Sequence, residues 1–152
     1  MSSIFNPEEF LQSAQISEAN STASIPIPVG EYPAGIQEVK IATWAKKDGS
    51  ASGLKLQVFW GIEDDAVKSF LGRDKVVVRQ DIMLDLTEAG GIDTGKGKNI
   101  GLGRLREAVD LNVPGQPFSF PMLPGRMAKV AIVHEPYQDT LLAQVKGVAK
   151  LA

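Results

Sequence analysis

Every second residue from Leu54 to Ile62 is apolar: Leu54, Leu56, Val58, Trp60 and Ile62. Only an extended strand puts all five on one side, so this segment requires a sheet with one buried face. The same period of two returns in Val76, Val78, Ile82, Leu84 and Leu86, and further strands are expected over Met127 to His134 and Thr140 to Val148. Upstream the alternation changes parity. Tyr32, Ala34 and Ile36 fall on even positions, whereas Val39, Ile41 and Thr43 fall on odd ones. A bulge near Gln37 or Glu38 must absorb one residue, giving a strongly curved first strand.

"KKDGSASG" reads as a hairpin loop between the first two strands. Leu102, Leu105, Ala108 and Val109 share a helical face, with Asn99 as the N-cap. "NVPGQPFSFPMLPG" is too rich in proline to be regular, and "EPYQD" joins the last two strands. The resulting order is β-β-β-α-β-β. It predicts a mostly β, five-stranded, OB-fold-like Greek-key barrel with one helix between strands three and four. Another small barrel or sandwich is the competing architecture.

An N-terminal arm precedes this body. In "FNPEEF" Asn6 caps a helix, Pro7 opens it, Glu9 takes the capping-box position and Phe5 staples onto Phe10, so a short helix is expected from Pro7 to about Gln15. "ISEANSTASIPIP" is linker, which divides the chain into an arm over 1–28 and a barrel domain over 29–152. The net charge of −2 hides an asymmetry: residues 1–35 carry −4 and no Lys or Arg, while residues 36–152 carry +2. An acidic arm therefore leads a mildly basic body. With no cysteine, disulfides, thiolate metal sites and a cysteine nucleophile are ruled out. No leader and no apolar run of membrane-spanning length occurs, so a cytoplasmic protein without membrane contact is expected.

The stretch "GIDTGKGKNIGLGRLREAV" invites comparison with a nucleotide-binding loop. Gly90, Gly95 and Lys96 satisfy GxxxxGK, but Gly97 stands where a Ser or Thr must hold magnesium, and the surroundings are antiparallel. Lys96 and Lys98 precede a helix N-terminus, which favours anions. With Arg104 they suit one or two backbone phosphates read without reference to base. A solvated glycine-rich connector remains the other reading.

If Leu54, Leu56 and Val58 point inward, Lys55, Gln57 and Phe59 point outward, together with Arg79 and Met83 on the third strand. On the first strand, Glu38, Lys40, Ala42 and Trp44 join them. Exposed aromatics interleaved with cations have the composition of a single-strand platform, where bases stack and basic residues track phosphates. The same rings also suit burial under the arm or in a dimer interface. The flanking loops contribute Lys46 and Lys47 on one side and Tyr137 on the other.

Enzymatic readings find little support. The one histidine, His134, has no partner at an informative spacing and is read as structural. Glu63, Asp64 and Asp65, with Asp81 and Asp85, are read as solvated turns rather than a magnesium site. No catalytic residue, metal or cofactor is expected.

"IPVGEYPAGIQEV" and "KNIGLGRLREAVDLNVPGQPF" resemble phage-encoded OB-fold single-stranded-DNA-binding proteins, over about Ile25 to Val148. The resemblance implies coating of single strands in phage replication or recombination, as a homo-oligomer in the host cytoplasm that works with replication or recombination proteins. Bacterial proteins of this function end in an acidic tail, whereas this chain ends "KGVAKLA", leaving the N-terminal arm as the acidic element. The alternative function is a phage structural or assembly protein whose barrel and arm bind other proteins.

Overall fold

The computed structural model describes residues 6–20, 25–138 and 140–151. The expected staple from Phe5 lies outside them, as do residues 21–24 of the linker and Asp139 of the last turn. In chain order the elements are helix α1 (Pro7–Ser13), strand β1 (Gly30–Ala45), strand β2 (Ser52–Ile62), helix α2 (Asp65–Leu71), strand β3 (Val77–Met83), helix α3 (Ile100–Ala108), a 3-10 turn (Phe120–Met122), strand β4 (Met127–Tyr137) and strand β5 (Thr140–Ala149). Among the described residues, no helix is long and apolar enough to cross a membrane.

The strands form one antiparallel sheet in the order β3-β2-β1-β4-β5. β1 serves two partners: Gly30–Gly35 pairs with β4 and Ala34–Ala45 pairs with β2. Ile36 stands opposite Trp60 and Glu38 opposite Phe59, so Gln37 is the extra residue that the change in parity requires. Before it Ala34 and Ile36 are buried; after it Val39 takes over the inward side. Leu56, Val58, Trp60 and Ile62 of β2 are fully buried, as the alternation predicts, and meet Val78 and Ile82 of β3 and Val130 and Ile132 of β4. The buried Trp60 indole N–H donates to Gln80 Oε1 at 2.9 Å, which meets the need of a polar atom in an apolar core.

The helix between the third and fourth strands is present and buries Leu102, Leu105 and Ala108 against β3 and β5. Asn99 departs from its expected role. It has a left-handed backbone, φ 52°, and its side chain does not cap α3 but reaches back to Asp85.

The sheet is barrel-like, as expected, but it is not closed. β3 and β5 are the two sheet edges and, by their pairings, both run parallel to β1; they approach each other without a hydrogen-bonded ladder. β5 carries an extra residue, Lys146, opposite the step from Ala131 to Ile132.

Helix α2 was not anticipated. Asp64, read as part of a solvated acidic turn, accepts from Val67 N–H at 2.9 Å and caps this helix, which ends at Gly72 with φ 67°. The arm helix is capped as expected, with Asn6 Oδ1 accepting from Glu9 N–H at 3.1 Å, but it stops at Ser13. All described residues of 6–20 are exposed.

Candidate nucleic-acid interface

The outer face of the β1–β2–β3 half-sheet is laid out in rows by the register. Ala42, Lys55 and Met83 form one row, Lys40, Gln57 and Asp81 the next, and Glu38, Phe59 and Arg79 a third, with Trp44 opposite Gly53 near the hairpin end. The outward set read from the alternation thus does share one face. Lys40 Nζ lies 5.3 Å from the centroid of the Phe59 ring, a cation–π contact across the two strands.

Two features differ from expectation. First, neither aromatic is fully exposed. Phe59 lies half-buried beneath Lys40, and Trp44 lies flat on β2 because Gly53 has no side chain to hold it off: a Cβ at Gly53 would sit 3.0 Å from Trp44 Nε1. That indole nitrogen is buried and has no hydrogen-bond partner. Residues 6–20 of the arm are exposed, whereas Pro26 to Pro28 at its end are partly or fully buried.

Second, the cations of this face are balanced by acids. Asp81 accepts Lys55 Nζ at 2.9 Å and Arg79 Nε at 3.0 Å, and Lys40 lies 3.7 Å from Glu38. Asp81 is therefore a charge-setting residue that the outward count of lysines overlooked. Lys46, Lys47, Lys96, Lys98 and Arg104 have no ion-pair partner among the described residues. In the β1–β2 turn, Lys46 N–H donates to the Ala51 carbonyl and Ser50 N–H to Asp48 Oδ1, which fixes the loop that carries Lys46 and Lys47.

The glycine-rich loop is an ordered excursion with a closed neck. Asn99 N–H donates to Asp85 Oδ2 and Asp85 N–H donates to Asn99 Oδ1, each at 2.8 Å, while Asn99 Nδ2 donates to the carbonyls of Asp85 and Asp93. A bridge between Leu86 and Ile92 and a bond from Gly95 N–H to Asp93 Oδ1 order the interior. This argues against a floppy connector. Asn99 is thereby drawn away from α3, whose first amides are left without a side-chain cap beside Lys98.

A groove of about 1050 Å³ separates the β3 and β5 edges. Phe59 and Arg79 line it together with Gly97, which lies between Lys96 and Lys98, so the platform and the glycine-rich loop meet along one cleft. Arg73 and Lys146 line it too, and sequence reasoning missed both. Arg73 follows the unanticipated α2, and Lys146 is the bulged residue of β5. Arg104 is not brought to this cleft; it borders a smaller groove with Glu107, Asp110 and Lys150. Tyr137 is 55% exposed at the β4–β5 turn. Since Gly30 pairs with Ile132, that turn lies beyond the start of β1, at the other end of the strand from Trp44.

His134 Nε2 lies 2.7 Å from the Ile27 carbonyl oxygen, fixing the end of the linker to β4, in keeping with a structural histidine. Nearby, the Tyr32 hydroxyl donates to the Pro28 carbonyl at 2.8 Å. Burial, and then the negative charge of Asp64, raise the Tyr32 pKa above that of an ordinary phenol.

The fold and this face define a small β-rich domain with an aromatic and cationic outer surface on one half of its sheet. No known family model matches the chain, and no curated protein matches it.

Proposed function

We propose that the protein binds single-stranded DNA without strong sequence preference, on an OB-fold whose two free edges, β3 and β5, lie side by side. The observation that carries this reading is the row Glu38–Phe59–Arg79 with Lys40 over the Phe59 ring. It sets an aromatic face and two cations side by side on one outer face. Lys40 moves from the ring to a phosphate as a base stacks on Phe59, and Trp44 offers a second ring. Lys46, Lys47, Lys96 and Lys98 supply phosphate contacts at the margins. The setting is phage DNA replication or recombination in the host cytoplasm, alongside replication or recombination proteins. The reaction class is binding and not catalysis.

The test is a fluorescence titration with a homopolymeric oligonucleotide at low and moderate salt, with duplex of equal length as comparison. Affinity should fall steeply with salt as counterions are released, and duplex should bind more weakly. Affinity independent of salt, or preference for duplex, overturns the proposal. The exposed apolar stripe of α1 favours a second reading, an assembly protein working through protein contacts; it predicts no oligonucleotide binding in the same titration.

A further inference from the structure

Helix α1 is amphipathic. Pro7, Phe10, Leu11 and Ala14 fall at the i, i+3, i+4, i+7 spacing, while Glu8, Glu9 and Gln12 occupy the other side. In the structure this stripe has nothing to cover it: Phe10 is 64% exposed and Leu11 82%. A helix of seven residues does not persist in water on its own caps, because nucleation costs more than so few hydrogen bonds return. α1 therefore needs a surface to dock on.

The body carries a complementary one. The groove between β3 and β5 exposes Val77, Met83 and Leu141, each more than 40% accessible, on its walls. Its acids are already engaged, Asp81 by Lys55 and Arg79 and Asp85 by Asn99, whereas Arg73 and Lys146 have no ion-pair partner among the described residues. Exposed apolar side chains beside unmatched positive charge fit an apolar stripe flanked by Glu8 and Glu9. The arm is fastened at the rim of this groove, where Ile25 lines it and Ile27 is buried. From there residues 14–24 reach roughly 36–40 Å when extended, enough to cross to a neighbour. Within its own copy, residues 6–20 of the arm are exposed.

We propose that α1 docks in the β3–β5 groove of a second copy of this chain, so that arm exchange builds the oligomer. This goes beyond DNA binding and is tested without DNA. Because the chain has no cysteine, single thiols are unambiguous. Leu11→Cys and Val77→Cys variants, both at exposed positions, are mixed at equal concentration and treated with a short bismaleimide. The expected product is a covalent heterodimer in clear excess over either homodimer, reduced severalfold by adding unmodified full-length protein. In sedimentation, the unmodified chain should show at least about twice the monomer mass, and the F10S/L11S double variant should sediment as a monomer that still unfolds in one cooperative transition. A monomeric unmodified chain overturns the proposal. So does cross-linking that occurs only within one chain carrying both thiols, which would place the arm in its own groove.

Discussion

Asp85 and Asn99 exchange hydrogen bonds in both directions at 2.8 Å, main chain to side chain each way, across a loop of glycines and lysines. The pair joins the end of the third strand to the start of α3. It closes the neck of a loop whose interior still needs glycine at Gly90, φ 88°, and Gly97, φ 80°.

Replacing Asn99 by Ala removes the bonds of its side chain to Asp85 and Asp93, leaves its main-chain N–H able to donate to Asp85, and forces a left-handed backbone, φ 52°, on a residue that disfavours it. A loss of about 1–3 kcal/mol in chemical denaturation is expected. Asn99→Gly, which tolerates the backbone, should lose less. Equal losses would show that the backbone conformation carries no cost here.

Asp81 neutralises the platform by holding Lys55 and Arg79. Asp81→Asn should therefore tighten oligonucleotide binding severalfold while changing stability by less than about 1 kcal/mol, since the pair is partly exposed. Asp110→Asn, which frees Lys150 beside the smaller groove, is the control and should leave binding as it was. Weaker binding in Asp81→Asn would remove this face from the DNA path.

Two tryptophans report separately. Trp60 is sealed in the core and bonded to Gln80, whereas Trp44 lies on the outer face over Gly53. A fluorescence change on adding oligonucleotide should vanish in Trp44→Phe and persist in Phe59→Ala. Phe59→Ala should cost about 1–3 kcal/mol of binding. Gly53→Ala lifts the indole and should shift its emission without DNA present. An unshifted spectrum would show that the ring does not rest on β2.

The pKa of Tyr32 is raised in the folded protein, by burial first and by Asp64 second. A raised acid favours folding while it is protonated, so its contribution is complete below the phenol's unfolded value, about 10. It is lost as pH climbs through the higher folded value. Thermal midpoints should therefore drop above about pH 10, and less so in Tyr32→Phe, which cannot ionise. Parallel pH curves for the two proteins would detach Tyr32 from the alkaline transition.

The strands were legible because one-sided burial imposes a period of two, and the change of parity located the Gln37 bulge. The membership of the outer face followed from the same arithmetic. Its electrostatics did not, because alternation tells which side Asp81 is on and not that its oxygens reach two cations on neighbouring strands. Helix α2 escaped because its cap, Asp64, sits in a run of acids that suits a turn equally well, and seven residues give too few periods to separate the two. Closure of the sheet depends on how the β3 and β5 edges meet, and these are far apart in sequence. Asn99 satisfied the composition of a helix cap, yet a tertiary partner took its side chain.

The bulge at Gln37 keeps the two halves of β1 in phase. In a strand, a slip of one residue exchanges the two faces beyond it. Were Gln37 to take an ordinary place in the ladder instead of bulging, the alternation from Ile36 would turn Glu38, Lys40, Ala42 and Trp44 toward the interior and present Val39, Ile41 and Thr43 to solvent. A single bulge, with no chemistry of its own at the interface, thus decides which side of the hairpin is inside out.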